Sequence, residues 1–216
     1  MTRLLIYDLD GTLVNTLEDL TRAANDTLRV LQAPPVSADE VRRAVGRGVH
    51  ELVQGCLKTE DPKTLERAVK LFRSYYARYA VDTSRLYPGA KELLNHFARH
   101  RQAVLTNKPN PFAVDILKAL GVADYFFRII AGDSEFPKKP DPASARELLR
   151  LSGARAEETV LVGDSTIDIE TGRRAGIRTV AVLHGFTDEA ELSAAQPDLL
   201  VKDFPALLKE AVAHAW

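Results

Sequence analysis

The stretch Leu4-Leu5-Ile6-Tyr7-Asp8-Leu9-Asp10-Gly11-Thr12-Leu13 decides how the whole chain is interpreted. Four apolar or aromatic residues in a row are typical of a buried strand in a parallel sheet. Two carboxylates, one residue apart, and a Gly-Thr pair follow directly. A strand that ends in this way places its acidic residues at its carboxyl end, where open α/β sheets have their ligand crevice. Asp10-Gly11 alone is better explained by an ordinary turn, but the full pattern D-x-D-G-T is much more restrictive.

Composition and charge narrow the classes of protein to consider. Of the 216 residues, 45% are hydrophobic and 27% are charged, which is usual for a globular protein that can bury a full core. The formal net charge of −1 gives no broad attraction to nucleic acid or to an anionic membrane. We therefore expect neither of them as a partner.

The location that the sequence predicts is cytoplasmic. The single cysteine, Cys56, excludes an internal disulfide and is consistent with a reducing compartment. We expect no secretory leader, because Asp8 and Asp10 interrupt the apolar stretch near the N-terminus. No run approaches the roughly 20 apolar residues that a membrane-spanning helix needs.

Residues 15 to about 84 have a helical pattern without a clear strand. The residues Asn15-Thr16-Leu17-Glu18 predict a capped first helix, and residues 37–40 predict a second capping box before a short helix. Two further helices follow. The last is a long helix that opens at Pro62, and we interpret its aromatic stripe, which includes Tyr76, as packing.

From Tyr87 onward, predicted strands and helices alternate. The strands are expected at residues 102–106, 126–131, 159–163, 179–183 and 198–201. Helices are expected at residues 88–99, 109–120, 141–151 and 167–175 and from residue 205 onward. Such alternation implies βαβ crossovers and a parallel sheet. The predicted fold class is therefore α/β, with a doubly wound, Rossmann-like core formed by residues 1–14 and 85–216. A helical cap domain of residues 15–84 is inserted in this core.

Polar side chains follow several of the predicted strands. They occur as Asp8 and Asp10 after the first strand, Thr106-Asn107-Lys108 after the second, Lys138-Lys139-Pro140 after the third, and Gly163-Asp164-Ser165 with Asp168 after the fourth. Because the carboxyl ends of parallel strands share one edge of a sheet, we expect these residues to converge.

The chemistry that these residues can share is phosphoryl transfer. Three carboxylates and one backbone carbonyl form a hard oxygen site suited to Mg²⁺, and a carboxylate beside such a metal can attack phosphorus to form an aspartyl phosphate. A hydroxyl, a lysine and backbone amides are the donors that a phosphoryl group needs. Each residue also has a simpler interpretation. Thr106-Asn107 could cap a helix, Lys139 could be a solvated loop charge, and Asp164 and Asp168 could be a cap and an exposed helix residue.

Together, the motifs resemble those of the haloacid dehalogenase-like superfamily of aspartate-nucleophile phosphatases, over essentially the whole chain. The resemblance implies that Asp8 is the nucleophile and Asp10 the general acid/base. It implies a Mg²⁺ cofactor held by the set Asp8, Asp10, Asp164 and Asp168, in which Asp10 contributes its backbone carbonyl and Asp168 is either a ligand or a support. It assigns phosphate binding to Gly11, Thr12, Thr106, Asn107 and Lys139.

Within this superfamily, the chain is most similar to phosphoglycolate phosphatases. The similarity rests on Val45-Gly46-Arg47-Gly48, Tyr87-Pro88-Gly89 and Ala131-Gly132-Asp133-Ser134. It implies a small phosphorylated metabolite as the partner, with 2-phosphoglycolate as the first candidate. Arg47 is then a candidate for binding the substrate carboxylate, with His50 a weaker one, although Arg47 could instead face solvent. Asn15, where relatives often carry Asp, and the segment Glu135-Phe136-Pro137 depart from the pattern and leave the substrate open.

Three alternatives share parts of this pattern. A mutase of the β-phosphoglucomutase type has the same core, but we do not find the His-and-Lys cap signature of those enzymes. A pyrophosphatase shares several of the motifs. A phosphate-sensing module that binds without turnover is the non-enzymatic alternative. The sequence does not decide between a monomer and a homodimer.

Overall fold

The computed structural model describes residues 2–214 and 216, and it is built around a parallel sheet. In chain order, the strands are β1 (Leu4–Tyr7), β2 (Val14–Asn15), β3 (Arg85–Leu86), β4 (Arg101–Leu105), β5 (Arg128–Ile130), β6 (Thr159–Gly163), β7 (Arg178–Val182) and β8 (Leu199–Val201). The helices are α1 (Leu17–Val30), α2 (Ala38–Ala44), α3 (Val49–Leu57), α4 (Pro62–Tyr79), α5 (Ala90–His96), α6 (Phe112–Ala119), α7 (Ala143–Ser152), α8 (Thr166–Ala175), α9 (Glu189–Ala194) and α10 (Phe204–Ala213).

Six of the strands form one sheet in the order β5-β4-β1-β6-β7-β8, and all of its pairings are parallel. Strand β1 lies in the middle, because it pairs with β4 on one side and with β6 on the other. Every residue of β1 is buried, which explains its uninterrupted apolar run. The α/β fold with a doubly wound parallel sheet is confirmed.

The two faces of the sheet have separate hydrophobic cores, because side chains alternate along a strand. Leu5 and Tyr7 point into the core that also contains side chains of α5, α6 and α10. Leu4 and Ile6 point to the opposite face, where side chains of α7 complete the second core. Helices therefore cover both faces, and ligands can reach the sheet only at a strand edge or at the strand ends.

Helices α1 to α4, which we call the cap, leave the core after β2 and return through β3. Strands β2 and β3 form a two-stranded antiparallel ribbon that pairs Val14 with Leu86 and Asn15 with Arg85. The sequence predicted no strand in this region, and two-residue strands are too short to produce a period of two. The ribbon lies at the predicted boundaries of the inserted domain, and those boundaries remain a prediction.

The first predicted helix cap is wrong. Helix α1 begins at Leu17 with Thr16, not Asn15, in the N-cap position, and the Thr16 side chain forms no capping hydrogen bond. The Leu17 amide donates to Asn15 Oδ1 at 3.3 Å. Asn15 belongs to β2 instead, and the Thr16 hydroxyl donates to Asp10, 2.6 Å away. In contrast, the predicted capping box of α2 is present, formed by Ser37 and Glu40.

Helix α9 was not predicted from the sequence, and some helices are shorter than expected. Helix α5 spans seven residues, and α6 begins at Phe112 because the Pro109-to-Pro111 segment precedes it. Two short 3₁₀ helices lie at Ala123–Tyr125 and Ala156–Glu158. None of the helices in the described part of the chain combines the length and the apolar character needed to cross a membrane.

Candidate active site

The predicted site residues converge at the carboxyl edge of the sheet. Asp8 follows β1, Thr106 follows β4, and Asp164 follows β6, so the central strand and both of its neighbours contribute. Lys139 comes from the loop after β5, and Asp168 lies in the first turn of α8. All five are buried, so the simpler interpretations of Lys139 as a solvated charge and of Asp168 as an exposed helix residue are wrong.

Three carboxylates meet in this site. Asp8, Asp164 and Asp168 each offer one oxygen, and these oxygens all lie within 4.8 Å of one another. Burial, followed by the nearby carboxylates of Asp8 and Asp168, raises the pKa of Asp164 to about 8. Burial also raises the pKa of Asp8, against the opposing effect of the Lys139 ammonium. The cluster therefore has an excess of negative charge that a cation would stabilise.

A metal ion fits this cluster. Hard divalent cations prefer carboxylate oxygens, and three carboxylates are gathered here. One oxygen of Asp8, Oδ1, is buried without a hydrogen-bond partner among the described residues. Lys139 Nζ lies 2.9 Å from it, but as an ion pair outside hydrogen-bond geometry. The three residues can therefore hold a metal ion.

The turn after β1 holds Asp164 in place. The Thr12 hydroxyl donates to Asp164 Oδ1 at 2.5 Å, and the Phe186 amide donates to Asp164 Oδ2 at 2.8 Å. Gly11 has a φ of +82°, and a Cβ atom there would lie 2.2 Å from Asp164 Oδ2, so only glycine fits. The backbone amides of Gly11 and Thr12 donate within the turn, to Val14 and Leu9. These contacts support Asp164, and the predicted phosphate contacts of Gly11 and Thr12 remain a prediction.

Lys139 joins the nucleophile candidate to Asp168. Its Nζ lies 2.6 Å from Asp168 Oδ1 and 2.9 Å from Asp8 Oδ1, and its side chain is only 2% exposed. Burial alone would lower the pKa of Lys139, but Asp168 and Asp8 together hold it above its usual value. The other oxygen of Asp168 accepts from the Ser165 amide and hydroxyl. Both oxygens of Asp168 thus have protein donors.

Asn107 connects three loops through its side-chain amide. Its Nδ2 donates to the carbonyl of Lys139 at 3.0 Å and to that of Gly46 at 2.8 Å, and its Oδ1 accepts from the Lys139 amide at 2.9 Å. Neither Asn107 nor Thr106 caps α6, whose N-cap position is Pro111. Thr106 is buried at the edge of the site, and its hydroxyl accepts from the Lys108 amide.

Asp10 lies apart from the carboxylate cluster. Its side chain accepts from the Thr16 hydroxyl at 2.6 Å and from Lys108 Nζ at 2.9 and 3.2 Å. Lys108 also donates to the Tyr76 hydroxyl of the cap at 2.8 Å. The sequence analysis placed Lys108 among the converging strand-end residues but gave it no role, and it interpreted Tyr76 as packing. Lys108 could have been found from its position directly after Thr106-Asn107, but Tyr76 fits the spacing of a packed helix face.

Two spaces adjoin Asp8 and Asp10. The inner cavity, about 50 Å³, lies between the cap and the core. Its lining consists of Asp8, Asp10, Leu20, Val45, Gly46, Gly48, Val49, Leu52, Phe72, Tyr76, Thr106, Asn107, Lys108, Pro109 and Phe112. The larger space, about 630 Å³, is bordered by Asp164, Arg42 and Arg47 as well as by the two carboxylates, and we call it the outer cleft.

The two cap residues that the sequence singled out have different positions. The Arg47 side chain is exposed at the border of the outer cleft, and its carbonyl accepts from Lys138 Nζ at 3.3 Å. His50 is exposed and lines a separate groove together with Glu66 and Lys70. The structure therefore brings Arg47, but not His50, to the cleft that contains Asp8.

Comparisons with known proteins agree with this arrangement. A phosphoglycolate phosphatase of Vibrio parahaemolyticus is 34% identical over 224 aligned positions, which cover 99% of this chain and 97% of that protein. The crystal structure of a predicted phosphoglycolate phosphatase from Haemophilus somnus 129PT has a TM-score of 0.92 at 30% identity, covering 97% of this chain and 98% of that one. CbbY from Rhodobacter sphaeroides, crystallised in complex with phosphate, has a TM-score of 0.82 at 26% identity, covering 96% of each chain.

The family model for haloacid dehalogenase-like hydrolases matches residues 5–182, a span that includes β1 from its second residue, the whole cap and every predicted core site residue. The Vibrio relative is named a phosphoglycolate phosphatase, which is a phosphoric monoester hydrolase, and this confirms the prediction of an enzyme, a phosphatase. The chain therefore belongs to the haloacid dehalogenase-like hydrolase family, as its motifs predicted.

Proposed function

We propose that this protein is a Mg²⁺-dependent cytoplasmic phosphatase that hydrolyses a small phosphomonoester, in the first place 2-phosphoglycolate, through an aspartyl phosphate. The observation that carries the proposal is the different surroundings of Asp8 and Asp10. Asp8 lies among carboxylates beside Lys139, whereas Asp10 contacts Thr16 and Lys108. Two neighbouring carboxylates in unlike surroundings can take different roles in one reaction.

In this proposal, an oxygen of Asp8 forms a bond to phosphorus while the bond from phosphorus to the leaving oxygen breaks. Asp10 gives its proton to the leaving oxygen. Asp10 then takes a proton from the water that attacks the phosphorus of the aspartyl phosphate, which releases phosphate and restores the Asp8 carboxylate. The position of Asp10 two residues after Asp8, at the same strand end, supports this division of roles.

The same proposal assigns the metal to Asp8, Asp164 and the backbone carbonyl of Asp10. When bound, Mg²⁺ supplies the positive charge that the carboxylate cluster and a substrate phosphate require. Asp168 supports the site rather than binding the metal directly, because the Lys139 ammonium, 2.6 Å from its Oδ1, already supplies a positive charge there. The donors to Asp164, from Thr12 and Phe186, are uncharged.

Thr106 and Lys139 bind the phosphoryl group in this proposal. Lys139 brings a buried cation to the nucleophile, where it can stabilise the developing charge on the phosphoryl oxygens. Asn107 positions Lys139 by binding both its amide and its carbonyl. Arg47, at the border of the outer cleft, can contact the substrate from the cap side. The names of relatives at about one-third identity support 2-phosphoglycolate as the first candidate.

The test is phosphate release from a panel of substrates, with Mg²⁺ and with EDTA. The panel contains 2-phosphoglycolate, pyrophosphate, sugar phosphates and nucleoside monophosphates. We expect 2-phosphoglycolate to have the highest kcat/KM and EDTA to abolish all turnover. Conversion of β-glucose 1-phosphate to the 6-phosphate would identify a mutase, and preference for pyrophosphate would identify a pyrophosphatase. Binding of phosphate without any turnover would identify a sensing module.

A further inference from the structure

The inner cavity contains one cation that the proposed reaction leaves without a role. Among the described residues that line it, Lys108 is the only Lys or Arg. Lys108 belongs to the loop directly after β4, and its side chain is only 4% exposed. A buried ammonium has a large desolvation cost, so Lys108 depends on charged and polar partners around it.

The ammonium of Lys108 faces the place where a leaving group must lie. It is 2.9 Å from Asp10 Oδ1, and Asp10 is the residue proposed to give a proton to the leaving oxygen. Its second partner is the hydroxyl of Tyr76, 2.8 Å away on the cap helix α4. An ammonium has three donors, so the longer contact to Asp10, at 3.2 Å, can be exchanged for one to a ligand.

Tyr76 provides a second donor at the same point. Its hydroxyl accepts from Lys108 and, within residues 2–214 and 216, makes no further hydrogen bond. The ring is fixed by stacking on Phe72 and by an edge contact with Phe112, with centroids 5.7 and 5.0 Å apart. Lys108 Nζ also lies 4.5 Å from the centre of the Tyr76 ring. The Tyr76 hydroxyl can therefore donate a hydrogen bond to an anion that is bound by Lys108.

The remaining wall restricts what can enter. Apart from the polar end at Asp8 and Asp10, the cavity is lined largely by apolar side chains, among them Leu20, Leu52 and Phe72. At about 50 Å³, the cavity is much smaller than the outer cleft, which measures about 630 Å³. A small, largely apolar space favours a short leaving group over a bulky polar one such as a sugar ring.

We infer that Lys108 and Tyr76 form a carboxylate subsite that selects short phosphorylated acids, with the carboxylate one carbon away from the leaving oxygen. The inference rests on the proposed function, because it uses Asp10 as the acid at that oxygen. Lys108 contributes the charge, Tyr76 contributes the hydrogen bond, and the apolar wall rejects longer or more polar leaving groups. Recognition of the acid then lies at the junction of core and cap, since one residue of the pair comes from each.

A matched pair of substrates separates this role from a general effect on Asp10. 2-Phosphoglycolate and 2-hydroxyethyl phosphate have nearly the same size, but only the first carries a carboxylate. We expect Lys108→Met to lower the ratio of their kcat/KM values by about tenfold to a hundredfold, the range for a lost charged hydrogen bond. Tyr76→Phe should lower the same ratio by about threefold to tenfold, and Lys108→Arg should restore part of the loss. An equal decrease for both substrates, or no change in the ratio, would overturn the subsite.

Binding of the product keeps the inference testable without turnover. Glycolate should bind the wild-type protein in calorimetric titrations, and at least tenfold more weakly to Lys108→Met. Tyr76→Phe, which removes a single oxygen atom, provides a second variant if Lys108→Met does not fold. Equal glycolate affinity in the wild type and in the folded variants would overturn the subsite. If the wild type binds glycolate through Lys108 yet releases no phosphate from either substrate, the subsite is supported and the proposed function fails.

Discussion

The side-chain amide of Asn107 donates to the carbonyl of Gly46 at 2.8 Å and so links the end of a central strand to the cap. The same amide holds the carbonyl of Lys139, whose ammonium approaches Asp8. One residue thus connects the position of the cap with the position of the buried cation. The sequence predicted Asn107 as a phosphate ligand, whereas its observed hydrogen bonds are those of a positioning residue.

We expect Asn107→Ala to lower kcat and to raise KM, because Lys139 and the Gly46 loop lose a shared anchor. Three hydrogen bonds disappear, so the free energy of unfolding should fall by about 1–3 kcal/mol. Steady-state kinetics and thermal unfolding measure the two effects. Gln54→Ala on α3, which removes an amide outside the site, is the control. A variant with normal stability and a changed KM alone would favour direct phosphate binding.

Asp8→Asn should remove nearly all turnover, because an amide does not attack phosphorus at a useful rate. The variant should also be at least as thermally stable as the wild type in EDTA at pH 8, since it removes one charge from a crowded group of carboxylates. Asp115→Asn, which changes an exposed carboxylate on α6, should alter neither property. A phosphoryl group trapped by acid and located by mass spectrometry should lie on Asp8. Activity above a tenth of the wild-type value in Asp8→Asn would exclude it as the nucleophile.

The metal-free protein should lose stability as the pH rises. The pKa of Asp164 is about 8 in the folded protein and near 4 in an unfolded chain. The stability that its proton provides is complete below about pH 4 and is lost as the pH rises through about 8. Mg²⁺ replaces that proton, so the increase in Tm that Mg²⁺ produces over EDTA should be larger at pH 8 than at pH 5.5.

Asp164→Asn provides the control for this experiment, because it removes both the titrating group and a metal ligand. In this variant, Mg²⁺ should leave Tm nearly unchanged at both pH values. An equal effect of Mg²⁺ on the wild type at pH 5.5 and pH 8 would contradict the assignment. So would a Mg²⁺ effect that persists in the variant.

The parts of the site that the sequence predicted best are those contained in single strand ends. Asp8 and Asp164 each follow a buried apolar strand directly, so local pattern and parallel topology place both at one edge. The pair of Lys108 and Tyr76 could not be found in this way. Its members are 32 residues apart, and Tyr76 belongs to an aromatic stripe whose spacing indicates only a packed helix face.

Competition between interaction partners explains why Asn15 was wrongly predicted as the N-cap of the first helix. Asn15 has the residue type and spacing of a helix cap, but β2 takes it into the ribbon with Arg85. Thr16 then occupies the N-cap position, where its hydroxyl donates to Asp10 and accepts from no helix amide. A tertiary contact overrides the local preference here, and it does so at the residue proposed as the general acid. The position of a side chain between two such partners is fixed only by the folded structure.

Arg47 in the outer cleft and Lys108 in the inner cavity are the two candidates for binding the substrate carboxylate. The sequence made it a candidate for binding the substrate carboxylate, and the structure places its exposed side chain at the border of the outer cleft. Lys108 is buried beside Asp10, where a contact with the substrate is less screened by water. We therefore expect Arg47→Ala to lower kcat/KM for 2-phosphoglycolate by less than about fivefold, and by less than Lys108→Met does.

Arg43→Ala, which removes an exposed charge from the same cleft, controls for the general loss of positive potential. If Arg47 acts only by attracting anions, both arginine variants should show similar losses that disappear at high salt, because a Debye length of about 3 Å at 1 M leaves little long-range attraction. A loss of tenfold or more in Arg47→Ala alone, confined to 2-phosphoglycolate and absent with 2-hydroxyethyl phosphate, would instead place the carboxylate contact on the cap loop. The cap would then have to move Arg47 toward Asp10 before the reaction begins.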